Sequence, residues 1–418
     1  MITPSFSLTA TERVLPKLAL DFTTASLDSR VTFTRTTGAS NPATYINSSG
    51  VLTAATNNQP RFDYDPSTLT CKGLLIEESR NNTQIYSEDV SNATYTKTNV
   101  TVSTDIYTAP DGNTTGDGIV VSTQTTVQGL SFTAFTADGT SSYSDSVFIK
   151  KTTGAGVSVI FVFRGSITSG TQYSQLTIDT TNGFTSFVAS GSTSSAYSVT
   201  EINGWWRLTI SAGGIPAGSM RSHVRLTSQP VNTQVGVWGC QHEVGAFATS
   251  YIPTTTTALT RNADVATMTG TNFSDWFNAS EGALLAIGSR FGTSNVFPRL
   301  VQFDDGTDNN AMNVAIYGSN NNAQANVTAS GSAQTSFSTI SGGANVTMGV
   351  ALAYKTDNFG CSANASSPQI DTSGTVPTVN RAIFGARPSG PVYLNGYIKK
   401  VMYWPQRLTQ NELQAFSK

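Results

Sequence analysis

Residues 173–188, YSQLTIDTTNGFTSFV, carry the pattern that decides the fold. Apolar side chains alternate with polar ones on both sides of residues 181–183, TNG. An Asn-Gly pair between two alternating runs is typical of a tight turn between antiparallel strands that share one buried face. The stretch therefore predicts a β-hairpin that lies on a hydrophobic core.

Similar runs of strand-forming residues recur along the chain. The further runs are residues 31–34, 51–53, 73–76, 143–150 and 157–163. Clusters rich in Asn, Asp, Gly and Ser separate many of them, at residues 47–50, 111–113 and 137–139. Short strands at regular spacing are typical of β-sandwiches and jelly rolls. We therefore predict an all-β protein built from antiparallel sandwiches.

The composition favours the same fold class. Charged residues make up 12% of the 418 residues, against roughly 25% in average globular chains. Ser and Thr together make up about a quarter, and 36 residues are Gly. Thr favours strands whereas Ser and Gly favour turns, so this composition indicates short strands and loops. A chain of this length can bury at least two cores, because single cores stop growing at about 250–300 residues.

Charge and cysteine content exclude several classes of partner. The formal net charge is −2, and runs of basic residues do not exceed the pairs at 150–151 and 399–400, so we expect no nucleic-acid partner. Cys71, Cys240 and Cys361 are odd in number and far apart, which disfavours a disulfide framework or a zinc site. The first ten residues lack a positive n-region and an apolar h-region, and apolar runs stay short. We therefore expect neither a secretory signal nor a membrane span.

The end of the chain predicts one short helix. Thr409 is followed three residues later by Glu412, which is the spacing of a capping box. Leu413 and Phe416 then share one helix face, because they are three residues apart. We expect this C-terminal helix to pack on the last sandwich.

Segments along nearly the whole chain carry a resemblance to a known set of proteins. The segments at residues 18–22 (LALDF), 31–37 (VTFTRTT), 61–66 (RFDYDP) and 73–80 (GLLIEESR) resemble the opening part of many phage tail and virion proteins. Residues 85–89 (IYSED), 204–207 (GWWR), 237–247 (VWGCQHEVGAF) and 249–253 (TSYIP) resemble a jelly-roll domain of the carbohydrate-binding-module type. Residues 273–276 (FSDW), 281–282 (EG) and 394–399 (LNGYIK) are similar to concanavalin A-like or laminin-G-like domains of the same phage proteins.

The jelly roll of that family ends on the pattern W-G-x-Q-x-E-x-G. The chain matches it through Trp238, Gly239, Gln241, Glu243 and Gly245, with Cys240 where a smaller residue is usual. The resemblance implies a virion protein involved in host attachment, often as a homotrimeric fibre, or a head or neck decoration. The implied partners are other virion proteins and a glycan on the host surface. Because we expect no export signal, we expect release from the host cytoplasm by lysis.

The predicted architecture is a tandem of two sandwiches, a jelly roll and a concanavalin A-like domain, with a short C-terminal helix. We divide it into a β segment at 1–80 that is a candidate virion anchor, a jelly roll at 81–253, a linker at 254–264, and a concanavalin A-like domain at 265–418. The linker is placed where a Pro is followed by four Thr residues, which can neither continue a helix nor supply a core.

The candidate ligand-binding residues are aromatic, since flat rings stack on the C–H faces of sugars. In the jelly roll the predicted platforms are Trp205, Tyr86 and Tyr95. Because neighbouring strand residues point to opposite faces, we predict Trp205 exposed and Trp206 in the core. A core role is the alternative for every aromatic considered, which also include Trp276, Tyr403 and Trp404.

Acidic residues suggest two further sites. Asp304, Asp305 and Asp308 concentrate oxygen ligands in one loop and are candidate ligands of Ca²⁺, with a solvated hairpin turn as the alternative. No other cofactor is indicated. Asp63 and Asp65 could be the paired acids of a glycoside hydrolase, or could cap a loop or pair with Arg61 or Arg80.

Motifs for catalysis are missing from the sequence. It contains no G-x-S-x-G, H-E-x-x-H or phosphate-binding glycine loop, and neither of its two histidines, His223 and His242, lies in a catalytic motif. The short-period repeat of a β-helical depolymerase is also missing. We therefore predict a non-enzymatic adhesin of the tail-fibre type. A structural virion component is the first alternative and a glycan depolymerase the second.

Overall fold

The computed structural model describes residues 15–35, 43–165, 170–292, 297–318, 320–341, 345–388, 390 and 392–418. Nearly all regular structure in this part of the chain is β-strand. The first segment contains β1 (Leu18–Asp21), β2 (Thr32–Thr34), β3 (Ala43–Ile46), β4 (Leu52–Ala55), β5 (Phe62–Tyr64), β6 (Cys71–Ile76) and β7 (Arg80–Asn82).

The middle of the chain contains the next thirteen strands. They are β8 (Thr96–Thr98), β9 (Val100–Thr108), β10 (Thr114–Val121), β11 (Gln128–Ser131), β12 (Phe135–Ala137), β13 (Tyr143–Lys150), β14 (Ser158–Arg164), β15 (Gln172–Asp179), β16 (Gly183–Ala189), β17 (Ser194–Ile202), β18 (Trp205–Gly213), β19 (Gly218–Leu226) and β20 (Gln234–Val244).

The last part of the chain contains the remaining strands and two helices. They are β21 (Leu259–Arg261), β22 (Val265–Thr269), α1 (Thr271–Ser274), β23 (Glu281–Arg290), β24 (Arg299–Asp304), β25 (Ala311–Tyr317), β26 (Asn322–Ala329), β27 (Ser332–Ser341), β28 (Met348–Lys355), β29 (Phe359–Ala363), β30 (Gln369–Asp371), β31 (Arg381–Phe384), β32 (Gly396–Trp404) and α2 (Gln410–Phe416).

Strands β8–β20 form one antiparallel sandwich, called here the inserted sandwich. One sheet has the order β17-β18-β13-β20-β10-β9, and the other has the order β16-β15-β14-β19-β11-β8, with β12 beside β19. The hairpin predicted at 173–188 is present as β15 and β16, which turn between Asp179 and Gly183. Gly183 has a φ of +84°, a left-handed conformation that favours glycine. The all-β prediction is therefore confirmed, and its local basis is strand alternation closed by turn residues.

A second sandwich, called here the split sandwich, takes strands from both ends of the chain. Its sheets have the orders β30-β29-β28-β23-β32-β6-β5 and β2-β22-β31-β24-β25-β26-β27, and β1 also pairs with β32. Leu20 and Leu74 share one hydrophobic core with Leu284 and Val350. The described residues of the predicted 1–80 segment are thus not a separate unit, and the division at residue 80 is wrong in this respect. Local sequence could not reveal this, because strand pairing between residues 18–76 and 265–404 is non-local.

The predicted linker at 254–264 is also more ordered than expected. Strand β21 pairs with β7, so the two chain crossings between the sandwiches form a small ribbon. Thr254, Arg261 and Asp264 are buried. Polar residues can be buried here because the outgoing and returning segments satisfy each other's hydrogen bonds.

The C-terminal helix is confirmed. Thr409 accepts the backbone N–H of Glu412, and the Glu412 side chain accepts the backbone N–H of Thr409, completing the capping box. Leu413 is buried and Phe416 stacks on Trp404 with ring centroids 5.1 Å apart. Among the described residues, helices long and apolar enough to cross a membrane are absent.

Candidate functional site

The sequence predicted an exposed Trp205, but this residue is buried. Its side chain is fully buried, and its Nε1 donates to the Thr108 carbonyl oxygen at 2.9 Å. Strand alternation does place Trp205 and Trp206 on opposite faces, but the outer face is covered by the β3–β4 hairpin. Ile46 and Leu52 of that hairpin pack against Trp205 in a small aromatic core. The prediction of an exposed platform is therefore wrong, and Trp206 is the more accessible tryptophan.

The other predicted aromatic platforms serve packing. Tyr95 is buried, donates its hydroxyl to the Tyr86 carbonyl oxygen at 3.0 Å and meets Phe132 edge-on. Tyr86 is half-buried and packs against the core of the inserted sandwich. Trp276, Tyr403 and Trp404 are likewise buried in the split sandwich. These aromatic residues therefore have the packing role that was the alternative to sugar binding.

The acidic loop does not gather its carboxylates around one point. Asp304 pairs with Arg381 at 2.5 Å. Asp305 accepts hydrogen bonds from Thr307 and Asn310, while Asp308 accepts one from the Gln302 amide at 3.1 Å. In the part of the chain that the structure describes, no three His, Cys, Asp or Glu side chains are grouped as metal ligands. The predicted Ca²⁺ site is therefore not formed, because Asp304 and Asp308 share the Gln302 amide and pair with Arg381 and Arg387, while Asp305 caps the turn.

The W-G-x-Q-x-E-x-G pattern has a structural role. Glu243 accepts the backbone N–H of Thr249 at 2.9 Å, and Gln241 accepts that of Ile252 at 2.7 Å. Trp238 is buried and donates to the Thr115 hydroxyl at 3.0 Å. The pattern thus fastens the segment that follows β20 back onto that strand.

A network of buried charges lies near the chain crossings between the two sandwiches. Asp264 accepts from Arg35 at 2.9 Å and also pairs with Arg61. Glu77 pairs with Arg61 at 2.8 Å and with Arg261 at 3.5 Å. Burial by itself would raise the pKa of Glu77, but Arg261 and Arg61 lower it to about 2. Local sequence patterns do not reveal this network, because its members come from four separate segments; its signal in the sequence is a cluster of charges in a charge-poor chain.

Beside this network, a cavity of about 670 Å³ opens between the two sandwiches. One wall is formed by Tyr45 of the β3–β4 hairpin together with Asp65, Lys72 and Tyr397 of the split sandwich. The facing wall is the outer surface of β17 and β18, where Ser198 lies opposite Thr209 and Thr200 opposite Arg207. Phe247 and Phe291 also line the space, with ring centroids 6.5 Å apart. This space is called the cleft below.

Two acidic residues in the cleft have defined partners. Asp63 pairs with Lys72 at 2.7 Å and accepts the Tyr397 hydroxyl at 2.6 Å. Asp65 caps the following turn, and hydrogen bonds from Ser67 and Thr68 lower its pKa to about 2. The capping role predicted for Asp65 is confirmed, whereas neither carboxylate pairs with Arg61 or Arg80. An Asp65 carboxylate that is ionised at neutral pH accepts hydrogen bonds but cannot serve as a general acid.

Arg207 supplies a cationic group to the same cleft. Its guanidinium donates to the Thr249 carbonyl oxygen at 2.6 Å and lies over the Phe148 ring. Its Nε has no hydrogen-bond partner in the described structure. Burial lowers the pKa of Arg207, although Glu243 and Glu77 oppose that effect. The cleft therefore combines aromatic faces, hydroxyls, carboxylates and a guanidinium.

Neither histidine belongs to the cleft. The fold pairs His242 with Asp145, a partner that sequence proximity could not reveal, and Ser222 donates to the same Asp145. Ser222 is thus hydrogen-bonded to the Asp145 carboxylate and not to the His242 imidazole. A serine nucleophile activated by histidine needs its hydrogen bond to the imidazole. His223 is buried against the Ser131 hydroxyl at 2.7 Å.

His223 leads to a prediction about acid stability. Burial lowers its pKa from 6.5 to about 3, and the nearby Arg221, Arg164 and Arg225 add to the effect. Between these values the unfolded chain binds a proton that the folded chain does not, so stability is complete above pH 6.5 and is lost as the pH falls. We expect the free energy of unfolding to decrease by about 2 kcal/mol from this group between pH 7 and pH 5.

Urea unfolding at the two pH values measures this decrease. The His223→Gln variant removes the titrating group, so its free energy of unfolding should fall less over the same interval. An equal fall in the wild type and the variant would contradict the assignment. Glu77 lowers the free energy of unfolding further only at lower pH, between 4.5 and about 2, because its pKa is depressed in the folded state.

The fold and the cleft together define an all-β protein of two interlocked sandwiches with a ligand-sized space between them. Comparison with protein-family models and with curated proteins finds no match. Among solved structures, the CBM40 of the Ruminococcus gnavus IT-sialidase bound to α2,3-sialyllactose is similar at 13% identity, over 34% of this chain and 84% of that chain, with a TM-score of 0.29.

Two further solved structures show similarity at the same level. They are the heptameric SAP-like pentraxin of Limulus polyphemus (11% identity, 34% of this chain and 70% of that chain, TM-score 0.26) and the Trypanosoma rangeli sialidase (12% identity, 72% and 60%, TM-score 0.29). TM-scores this low support no conclusion about what this chain binds or does.

Proposed function

We propose that this chain is a glycan-binding protein of the adhesin type that holds a saccharide in the cleft. The observation that carries the proposal is the composition of the cleft walls. A volume of about 670 Å³ lies within the range of small-molecule sites, roughly 300–1,000 Å³. Saccharides need both apolar stacking surfaces and many hydrogen-bond partners, and the cleft offers both.

The two walls have complementary chemistry. The β3–β4 hairpin provides the Tyr45 ring, and the split sandwich provides the Asp65 carboxylate, which accepts hydrogen bonds from hydroxyl groups. The inserted sandwich provides a row of small hydroxyl groups, among which Ser198 and Thr209 lie 2.7 Å apart. Hydroxyl groups both donate and accept hydrogen bonds, so they match the hydroxyls of a sugar ring.

We further propose that the protein is displayed on a phage virion as a tail-fibre or receptor-binding component. The resemblance of the segments at 18–22, 31–37, 61–66 and 73–80 to the opening part of phage tail and virion proteins supports this proposal. A homotrimeric fibre would bind through several weak sites at once, which raises the overall avidity. Labelling of purified virions with an antibody against this chain tests the location, and unlabelled particles would reject it.

A structural virion role is the second candidate, and one observation favours it. Phe184 and Tyr197 stack at 4.9 Å between ring centroids on the sheet-edge strands β16 and β17, where 47% and 44% of their surfaces are exposed. Apolar surface on unpaired strand edges is typical of contacts with a neighbouring subunit. A particle reconstruction in which neighbours enclose the cleft would favour this role over adhesion.

We propose no catalytic activity for the cleft. Asp65 is ionised at neutral pH, while Asp63 is already engaged by Lys72 and Tyr397. A glycosidase needs one protonated and one ionised carboxyl group facing the same bond. Release of reducing sugar from a host polysaccharide by the purified chain would overturn this part of the proposal and favour a depolymerase.

Replacing Tyr45 with alanine is expected to weaken glycan binding by about two- to tenfold, since an aromatic contact contributes about 0.5–1.5 kcal/mol. The measurement is titration against a hit from an array of bacterial surface saccharides. Ile370→Ala is the matched control, because Ile370 is 53% exposed on β30 and does not line the cleft. Absence of binding by the full chain to every saccharide, or equal affinity in wild type and Tyr45→Ala, would count against the cleft.

A further inference from the structure

A row of polar side chains crosses the outer face of the split sandwich, far in sequence from the walls of the cleft. The strand register places Gln302 opposite Asn313, Asn313 opposite Asn326, and Asn326 opposite Ser336. These residues therefore lie side by side on β24, β25, β26 and β27. Their sequence neighbours point the other way, into the core, and include Met312, Val314, Ala325 and Val327.

Three members of this amide row, Asn313, Asn326 and Ser336, are connected by hydrogen bonds. The Asn326 amide donates to the Asn313 side-chain oxygen at 3.2 Å, and Ser336 donates to the Asn326 oxygen at 2.7 Å. Gln302 is joined instead to charged neighbours: its amide nitrogen donates to Asp304 and to Asp308, each at 3.1 Å, and its oxygen accepts from Arg299 at 3.0 Å. The row lines a groove of about 300 Å³. Side-chain amides each donate and accept, so the linked Asn313 and Asn326, with the Ser336 hydroxyl, offer the alternating partners that vicinal sugar hydroxyls require.

The lining of the groove carries more positive than negative charge. The charged residues among its described lining are Arg299, Arg387 and Asp308, so two guanidinium groups share one carboxylate. Arg387 lies 3.9 Å from Asp308, whereas Arg299 donates to two neutral oxygens, those of Gln302 and the Phe297 backbone.

The two guanidinium groups are only partly compensated. Arg299 is 8% exposed, and burial lowers its pKa to about 10, with Arg387 adding to the effect and Asp308 opposing it. The Nε of Arg387 is buried without a hydrogen-bond partner in the described structure. Arg387 is 31% exposed, so Arg299 is the buried cation of the pair, and an anionic ligand would reduce the cost of its incomplete pairing.

The groove also has an apolar wall. Phe297 stacks on Tyr317 with ring centroids 3.6 Å apart, and the Arg299 guanidinium lies 5.3 Å from the Phe297 ring centroid. This wall stands at the same end of the groove as Arg299. A sugar ring carrying a carboxylate presents an apolar face, hydroxyls and one negative charge, which are the three features that this groove can engage.

We propose that the groove is a second saccharide site, selective for carboxylated sugars, in which Arg299 and Arg387 hold the carboxylate and the amide row holds the ring hydroxyls. This inference rests on the proposed glycan-binding function and extends it by naming the chemical class of the ligand. It assigns Asp308 to the orientation of Gln302 and Arg387, in place of the Ca²⁺ role predicted from sequence.

Isothermal titration of the full chain with trigalacturonate and with the neutral trisaccharide galactotriose tests the inference. We expect trigalacturonate to bind at least tenfold more tightly, with an affinity that falls as salt is added. The Arg387→Gln variant should lose this preference, and Asn326→Ala should weaken trigalacturonate binding several-fold. Lys400→Gln removes one positive charge from the same sandwich outside the groove and is expected to bind as the wild type does.

The cleft variant Tyr45→Ala separates the two proposals. Unchanged trigalacturonate binding in Tyr45→Ala together with loss in Arg387→Gln supports the groove. Loss in Tyr45→Ala with no change in Arg387→Gln assigns the acidic sugar to the cleft, which overturns the groove and leaves the proposed function standing. Equal affinity for the two trisaccharides, or array binding without any trigalacturonate binding, also overturns the groove. Absence of binding in every assay overturns both proposals.

Discussion

The Asp264→Asn variant is expected to lose about 3–5 kcal/mol of unfolding free energy. Asp264 is fully buried and accepts hydrogen bonds from Arg35, from Arg61 and from the backbone N–H of Glu77 at 2.9 Å. Asparagine keeps the size of the side chain but removes its charge, so two guanidinium groups would remain buried with too little negative charge beside them. Urea unfolding followed by tryptophan fluorescence measures the loss.

Two further variants identify the cause of that loss. Asp28→Asn removes a carboxylate that pairs with Arg30 at 2.7 Å on the partly exposed surface, and the loss there should stay below about 1 kcal/mol. Adding Arg35→Met to Asp264→Asn removes one uncompensated cation and should restore part of the stability. A loss in Asp264→Asn no greater than that in Asp28→Asn would show that the network contributes little.

The second large effect is expected for Trp205→Ala, with a loss of about 3–5 kcal/mol. The Trp205 ring fills the small aromatic core beneath the β3–β4 hairpin, where Tyr107 meets it edge-on with ring centroids 6.1 Å apart. Truncation leaves a cavity between the hairpin and the inserted sandwich, and it removes the hydrogen bond to the Thr108 carbonyl oxygen. Thermal unfolding monitored by circular dichroism measures the change.

Trp206→Ala is the matched comparison, because Trp206 is half-buried and packs at the margin of the other core. We expect a smaller loss of stability from this variant. Similar losses in the two variants would contradict the assignment of Trp205 to the interior. A Trp205→Ala protein that kept full stability and lost only glycan binding would restore the exposed platform that sequence analysis predicted.

The local features of this protein were accessible from sequence because they depend on neighbouring residues. Alternation in residues 173–188 and the Asn-Gly turn predicted a hairpin that the structure contains. The hydroxyl of Thr409 and the carboxylate of Glu412 predicted the start of the last helix. Asp65 was correctly considered as a loop cap because its partners, Ser67 and Thr68, follow it directly.

The candidate sites were not accessible in the same way. The cleft needs Tyr45, Tyr397 and the hydroxyls of β17 and β18 to meet, and these come from three distant parts of the chain. The amide row is likewise visible only once the register of four strands is known. Asn and Gln in a sequence rich in turns predict loops first, and only strand pairing places them on one sheet face.

By itself, the sequence determined that the chain is all-β, where its hairpins turn and where its last helix begins, since alternation, turn chemistry and capping act over a few residues. Only the tertiary structure decided that strands β1, β2, β5 and β6 complete the last sandwich, that Trp205 is covered, and that Asp264 and Glu77 are buried among arginines. Strand edges and outer sheet faces can pair with, or pack against, any segment that has a suitable alternation of polar and apolar residues. The choice among partners depends on how the whole chain packs, which short-range patterns do not encode.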